Sequence, residues 1–210
     1  MVGKTEEVYN TLKKKIISME LPPSTEITDA LLVEFNVSKT PLREAILQLE
    51  RDGFVKVNTR KSTVVTEITR ELINQVYEVR LQIEPYIAKT YFKNIDMDEV
   101  RDIKEKFLGY NDARDQNRDY YIALDNRLHN LFLKACQNDF LYRLMMSVND
   151  HNMRIREYVS HRNDDYSHAI TQHILILDSL EKGNPDAIEA AVKYHIVSGK
   201  NDAYEYLDKK

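Results

Sequence analysis

The 210-residue sequence contains one cysteine, Cys136, so an intramolecular disulfide and a cysteine-based zinc finger are both excluded. The apolar neighbours of Cys136 make it read as a core thiol rather than a nucleophile. Glycine and proline are scarce, five of each, which argues against extended low-complexity linkers. No run of 18 apolar residues and no signal-peptide pattern occurs, so no membrane partner is expected and the chain reads as cytoplasmic. His-Glu-x-x-His and a glycine-rich phosphate loop are also missing, which removes two common enzyme signatures.

Enough is present to build cores. Hydrophobic residues make up 42% of the chain and charged residues 30%, a balance suited to a helical protein of one large or two small domains. The net charge of −4 looks wrong for a nucleic-acid binder until it is divided. Residues 1–65 hold 10 Lys/Arg against 9 Asp/Glu, whereas residues 66–210 hold 20 against 25. Within residues 36–61 the count is 6 basic to 3 acidic. An acidic remainder is compatible with DNA binding if it faces away from the DNA, and salt sensitivity should be clear.

The basic stretch has an internal logic. Ser38 is placed to cap a helix whose first turn holds Pro41, where a missing N–H costs least. Leu42, Ala45, Ile46 and Leu49 recur at helical spacing and make one apolar face. Gly53 ends the run. The opposite face carries Lys39, Thr40, Arg43 and Gln48, residue types that contact phosphates and base edges. Upstream, Thr28 is placed to cap a short helix over residues 29–35. The pair reads as a helix-turn-helix, its second helix offered to a DNA major groove. An earlier helix is expected over residues 4–19, ended by Leu21-Pro-Pro-Ser. Downstream, residues 54–58 and 63–66 alternate as strands of a hairpin wing, with Arg60 and Lys61 at its basic tip.

From Arg70 on, strand patterns vanish. Six helices are expected, over about 69–92, 96–115, 118–136, 139–160, 163–182 and 185–206. The sharpest break is at Gly183-Asn-Pro, where Gly183 stops one helix, Asn184 caps the next and Pro185 takes its first position. The fold class expected is therefore mainly α. A winged helix-turn-helix of three helices and a hairpin (residues 1–68) precedes an all-α antiparallel bundle (residues 69–210).

The bundle holds the chemistry. Asp125 and His129 are four apart on one helical face. Taken alone, such a pair serves a surface hydrogen bond more often than a metal. His173 and His195 each lie beside apolar residues, and an inward imidazole needs a partner. Three histidines and a carboxylate converging in a helical core would suit Zn, Ni, Mn or Fe. His151, His161 and His168 fall in a polar stretch and read as solvated. Arg80 and Arg154 read either as ligand contacts or as structural ion pairs, Arg80 being four residues before Glu84.

Two resemblances follow from these residues. Val37-Ser-Lys-Thr-Pro-Leu-Arg-Glu-Ala-Ile-x-x-Leu-x-x-Asp-Gly-Phe-Val55 resembles the signature of the GntR family of bacterial transcription regulators. Ser24 stands where that pattern usually has glycine. Tyr77-Glu-Val-Arg-Leu-Gln-Ile-Glu-Pro85, Asp125-x3-His129, Gln172-His173, Gly183-Asn-Pro and His195 resemble the FCD effector domain of the FadR-type branch, in its shorter six-helix form. The resemblance implies a homodimer on a palindromic DNA operator, contacted through Ser38, Lys39, Thr40 and Arg43; the glycine that family wings usually carry is missing here, which leaves the contact at the tip to Arg60 and Lys61. It implies a divalent metal, Zn or Ni foremost, held by Asp125, His129, His173 and His195. Gln172 replaces the usual Glu, which alters a hydrogen bond but not the ligand set. The implied effector is a small organic acid, with Arg80 and Arg154 as candidate contacts and Tyr86, Phe107, Tyr121 and Met146 as candidate pocket walls. A repressor released by ligand is the expected function. A constitutive DNA-binding protein with a structural metal, or a metal-dependent enzyme, would share parts of this pattern.

Overall fold

The structure is a computed structural model, and it describes residues 3–28, 35, 37–58, 62–110, 118–160 and 166–209. The helix expected over residues 29–35 therefore lies almost wholly outside the described residues, as do Arg60, Lys61 and His161. The chain forms two compact units. One comprises Met1–Thr69 with Met153–Tyr158, and the other Arg70–Asn152 with Val159–Lys210.

In the N-terminal unit, α1 (Lys4–Ile17) buries Val8, Leu12 and Ile16. Helix α2 (Lys39–Arg51) buries Leu42, Ala45 and Leu49, three of the four residues of its expected stripe; Ile46 is half-buried. These two faces share one apolar cluster with Ile27, Phe54, Val55 and Val65. A three-stranded antiparallel sheet completes the unit: β1 (Glu26–Ile27), β2 (Val55–Val57) and β3 (Thr63–Val65), in the order β1-β3-β2. Val55 pairs with Val65 and Val57 with Thr63, while Glu26 pairs with Val64. The wing is thus the expected hairpin with an extra two-residue strand added at its edge.

Among the described residues of this unit, Met19, Ser24 and Gly53 carry left-handed backbone. Gly53, at φ 80°, follows α2, as expected of a residue without Cβ. Ser24 adopts φ 67°, so the turn keeps the conformation that favours glycine even though a serine occupies it. Its N–H donates to the Val65 carbonyl at 3.0 Å and its hydroxyl to Glu67, which holds the residue there against an αL cost of about 1–2 kcal/mol.

The second unit is helical: α3 (Arg70–Tyr91), α4 (Met97–Leu108), α5 (Arg118–Ala135), α6 (Asp139–Ser160), α7 (Ser167–Lys182) and α8 (Pro185–Asp208). Helix α4 ends at Leu108, with Gly109 as its C-cap, short of the 115 expected. Its interior is apolar, with Ile73, Ile103, Leu128, Leu177, Ile188 and Ile196 all essentially inaccessible. Among the described residues no helix is long and apolar enough to cross a membrane.

The α7–α8 break is built as read. Gly183 takes φ 62° and Asn184 accepts from the N–H groups of Asp186 and Ala187, with Pro185 in the first turn. Asn184→Ala is expected to lower stability by about 1 kcal/mol in urea titration; an unchanged midpoint would mean water satisfies those N–H groups equally well.

Candidate metal centre and nucleic-acid interface

Helix periodicity brings the metal-type residues together from three helices. Asp125 and His129 lie one turn apart on α5, His173 in the middle of α7, and His195 on α8. Ligand nitrogens of His129, His173 and His195 all lie within 4.8 Å of one another. Asp125 Oδ1 is 3.2 Å from His173 Nε2 and 3.5 Å from His129 Nε2. His129 Nε2 and His195 Nε2 face each other at 3.3 Å.

The donor set fits a metal ion on the evidence of His173. Its side chain is fully buried, yet among the described residues neither ring nitrogen makes a hydrogen bond of acceptable geometry; Asp125 Oδ1 approaches Nε2 to 3.2 Å. A buried imidazole with two unsatisfied nitrogens is costly unless something else occupies the lone pair. Phe107 stacks obliquely on its ring, centroids 4.9 Å apart, and Tyr121 lies at 6.2 Å. Desolvation, with the His173 and His129 rings and the Arg80 guanidinium nearby, holds the His195 pKa well below its usual value. His195 is therefore neutral at neutral pH, the form that ligates.

A cavity of about 10 Å³ lies beside His129, lined by Glu84, Ile87, Phe132, Leu133, Met145 and Asn149. That is room for the centre of about one water molecule. Of the four expected pocket walls, Phe107 and Tyr121 are buried next to His173, but Tyr86 and Met146 are 55% and 38% exposed. Met145, one position earlier on α6, is fully buried instead. Only Met146 was expected from the sequence, one helix position away from the buried methionine.

The two arginines go to different places. Arg80 is buried, with Nε and Nη2 donating to the two oxygens of Glu84 at 2.6 and 3.1 Å and Nη1 to Asn152 Oδ1 at 2.6 Å. Burial lowers its pKa, but the Glu84 carboxylate more than offsets this, so it stays above the usual value. The ion-pair alternative for Arg80 is thus the one formed. Arg154 belongs to the N-terminal unit. It donates through Nη1 to Thr66 Oγ1 at 2.9 Å and through Nη2 to the Thr66 carbonyl. Burial, partly offset by Glu67, pushes it down to about 10, so it remains charged at neutral pH. His168 is exposed as expected, whereas His151 and Cys136 are half-buried.

In the N-terminal unit, Ser38, Lys39, Thr40 and Arg43 are all exposed on the first turns of α2. Ser38 occupies the N-cap position, yet its side chain makes no capping bond, and the first turn holds no acidic residue. Glu50 Oε1 accepts from the Val57 N–H at 3.0 Å, fixing the helix to the wing strand.

The comparisons agree with both units. Residues 4–65 match the family described as bacterial regulatory proteins, gntR family, and residues 75–198 match the FCD domain. The chain belongs to the GntR family of bacterial regulators, in the branch that carries an FCD domain. It is 29% identical to the uncharacterized HTH-type transcriptional regulator YdhC of Bacillus subtilis (strain 168), over 96% of this chain and 89% of that one. It is 21% identical to the HTH-type transcriptional repressor RspR of Escherichia coli (strain K12), over 91% and 85%. Among solved structures it is similar to the Zn²⁺-bound FCD domain of TM0439, with a TM-score of 0.59 and 21% identity, over 69% of this chain and 99% of that one. The protein is a transcription regulator and not an enzyme.

Proposed function

We propose that the chain is a metal-dependent, ligand-responsive repressor that binds a palindromic operator as a homodimer. The observation that carries the metal part is the fully buried His173, orphaned in hydrogen bonds and facing Asp125 and two more imidazoles. Asp125, His129, His173 and His195 would hold a divalent ion, Zn or Ni foremost, and Mn or Fe next. A zinc-bound relative of the FCD fold supports that choice. Three neutral imidazoles and one carboxylate would leave the centre with a net charge of about +1, suited to a small organic acid. Arg80, already committed to Glu84 and Asn152, supports the wall of the site.

The operator would be held through Ser38, Lys39, Thr40 and Arg43, with α2 in the major groove and Arg60 and Lys61 of the wing tip beside it. Repression is favoured because the E. coli relative is named a repressor. Because the cavity beside His129 holds about one water, an acid would require α6 to shift, since Met145 and Asn149 come from that helix. The last turns of α6, Met153–Tyr158, group with the DNA-binding unit. Effector binding would thereby select one of two states of the protein.

The tightness of the cavity also favours a second reading, in which the metal is structural and DNA binding constitutive. Thermal stabilisation by Zn²⁺, with no further shift or operator release from any small acid, would decide for it.

The test is selection of genomic fragments by the purified protein, with Arg43→Ala in parallel. A short palindrome should be enriched by the wild type and weakened about 100-fold in the variant, read by mobility shift at fixed salt. Enrichment of no sequence above random DNA by the wild type would sink the operator reading.

A further inference from the structure

The polar residue next to His173 has a defined task. Gln172 is buried, 3% exposed. Its Nε2 donates to Ser198 Oγ at 2.8 Å, so its Oε1 is the atom 3.0 Å from His195 Nδ1. An amide oxygen only accepts, and Nδ1 must therefore carry the proton. Ser198 Oγ in turn lies 3.3 Å from His168 Nε2. The donors run from His195 to Gln172 to Ser198, and Ser198 Oγ pairs with His168 in a direction set by the His168 tautomer. Residues 168 and 172 are one turn apart on α7, and 195 and 198 on α8, so the chain clasps the two helices as well as orienting a ring.

The consequence falls at the far side of the imidazole. With Nδ1 protonated, His195 Nε2 is a bare lone pair, and it is the nitrogen that faces His129 Nε2 at 3.3 Å. We infer that Gln172 is a positioning residue that locks His195 in its Nε2-ligating tautomer while adding no charge, so that the metal centre keeps its positive charge for an anion. This rests on the metal-site reading above and names what regulates that site. A carboxylate at position 172 would accept the same bond more strongly and raise metal affinity. It would also cancel the charge that attracts an acid. Affinity for metal and affinity for anion should therefore move in opposite directions, which a merely structural glutamine would not cause.

The full-length protein tests this with three variants, Gln172→Leu, Gln172→Glu and Ser198→Ala. Imidazole ¹⁵N shifts of the metal-free wild type should show His195 protonated at Nδ1. Gln172→Leu should show a tautomer mixture and bind Zn²⁺ about 10- to 100-fold more weakly in competition with a chromophoric chelator. Gln172→Glu should bind Zn²⁺ more tightly than wild type, yet bind azide at least about tenfold more weakly when loaded with Co²⁺. Ser198→Ala, a change outside the core, should give a smaller loss in the same direction because the amide is then free to turn. His195 protonated at Nε2 in the wild type, or Gln172→Leu with unchanged affinity, would overturn the inference while leaving the metal site standing. Failure of the wild type to bind Zn²⁺, Ni²⁺ or Co²⁺ would overturn both.

Discussion

His173→Leu is expected to leave the metal-free protein as stable as the wild type, or more stable, while abolishing its stabilisation by metal. The first half follows from burial. The imidazole is fully enclosed with both nitrogens unsatisfied, and each such group costs about 1–3 kcal/mol. Leucine is similar in volume and would meet Phe107 and Tyr121 with carbon alone. The second half follows from linkage. A ligand that binds only the folded state at a thousandfold excess over its Kd stabilises by about 4 kcal/mol. Removing one of three imidazoles should forfeit nearly all of it. Thermal unfolding with chelator and with Zn²⁺ checks both halves. A variant that loses several kcal/mol without metal would mean that His173 is a structural core residue whose partners form in solution, and the metal reading would lose its main support.

The DNA-binding half was the more legible. The α2 stripe, Pro41 and Gly53 are local signals, and each acts through backbone geometry that depends little on the rest of the chain. The added strand β1 escaped notice because two residues, Glu26 and Ile27, carry no alternation to detect. Ser38 was read as a capping side chain, since serine at that spacing usually caps, but the capping bond is absent.

In the helical unit the ligating residue types were visible, yet helix phase was not. By spacing alone, Ile170, His173, Ile174 and Leu177 would share one stripe of α7. The buried face instead runs through Gln172, His173, Ile176, Leu177 and Leu180. The difference is one polar residue: Gln172 goes inward because His195 and Ser198 satisfy its amide, and no periodicity reports a partner 23 or 26 residues away. The same ambiguity separated Met145 from Met146. For Arg80 the spacing to Glu84 was informative, whereas Asn152, 72 residues distant, belongs to tertiary structure alone.

Arg80→Ala is expected to destabilise the protein by about 3–5 kcal/mol. The guanidinium is 2% exposed and Glu84 only 13%. Truncation would leave that carboxylate with its bidentate partner gone, and Asn152 Oδ1 would lose a 2.6 Å donor. It would also empty the volume stacked on the Tyr77 ring, 4.9 Å from the guanidinium carbon. The loss thus combines a buried carboxylate deprived of its bidentate partner with a cavity. The double variant Arg80→Met with Glu84→Leu separates the two, because it removes both charges and fills most of the space. A buried ion pair exchanged for apolar residues of like size is often close to neutral, so the double variant should recover most of what the single one loses, judged by urea unfolding midpoints. If Arg80→Ala lies within about 1 kcal/mol of wild type, the pair is solvated in practice and Glu84 has water to turn to. The cavity beside His129, which Glu84 itself lines, is one place where such water could sit. The same variant therefore also gauges how readily this wall of the site opens.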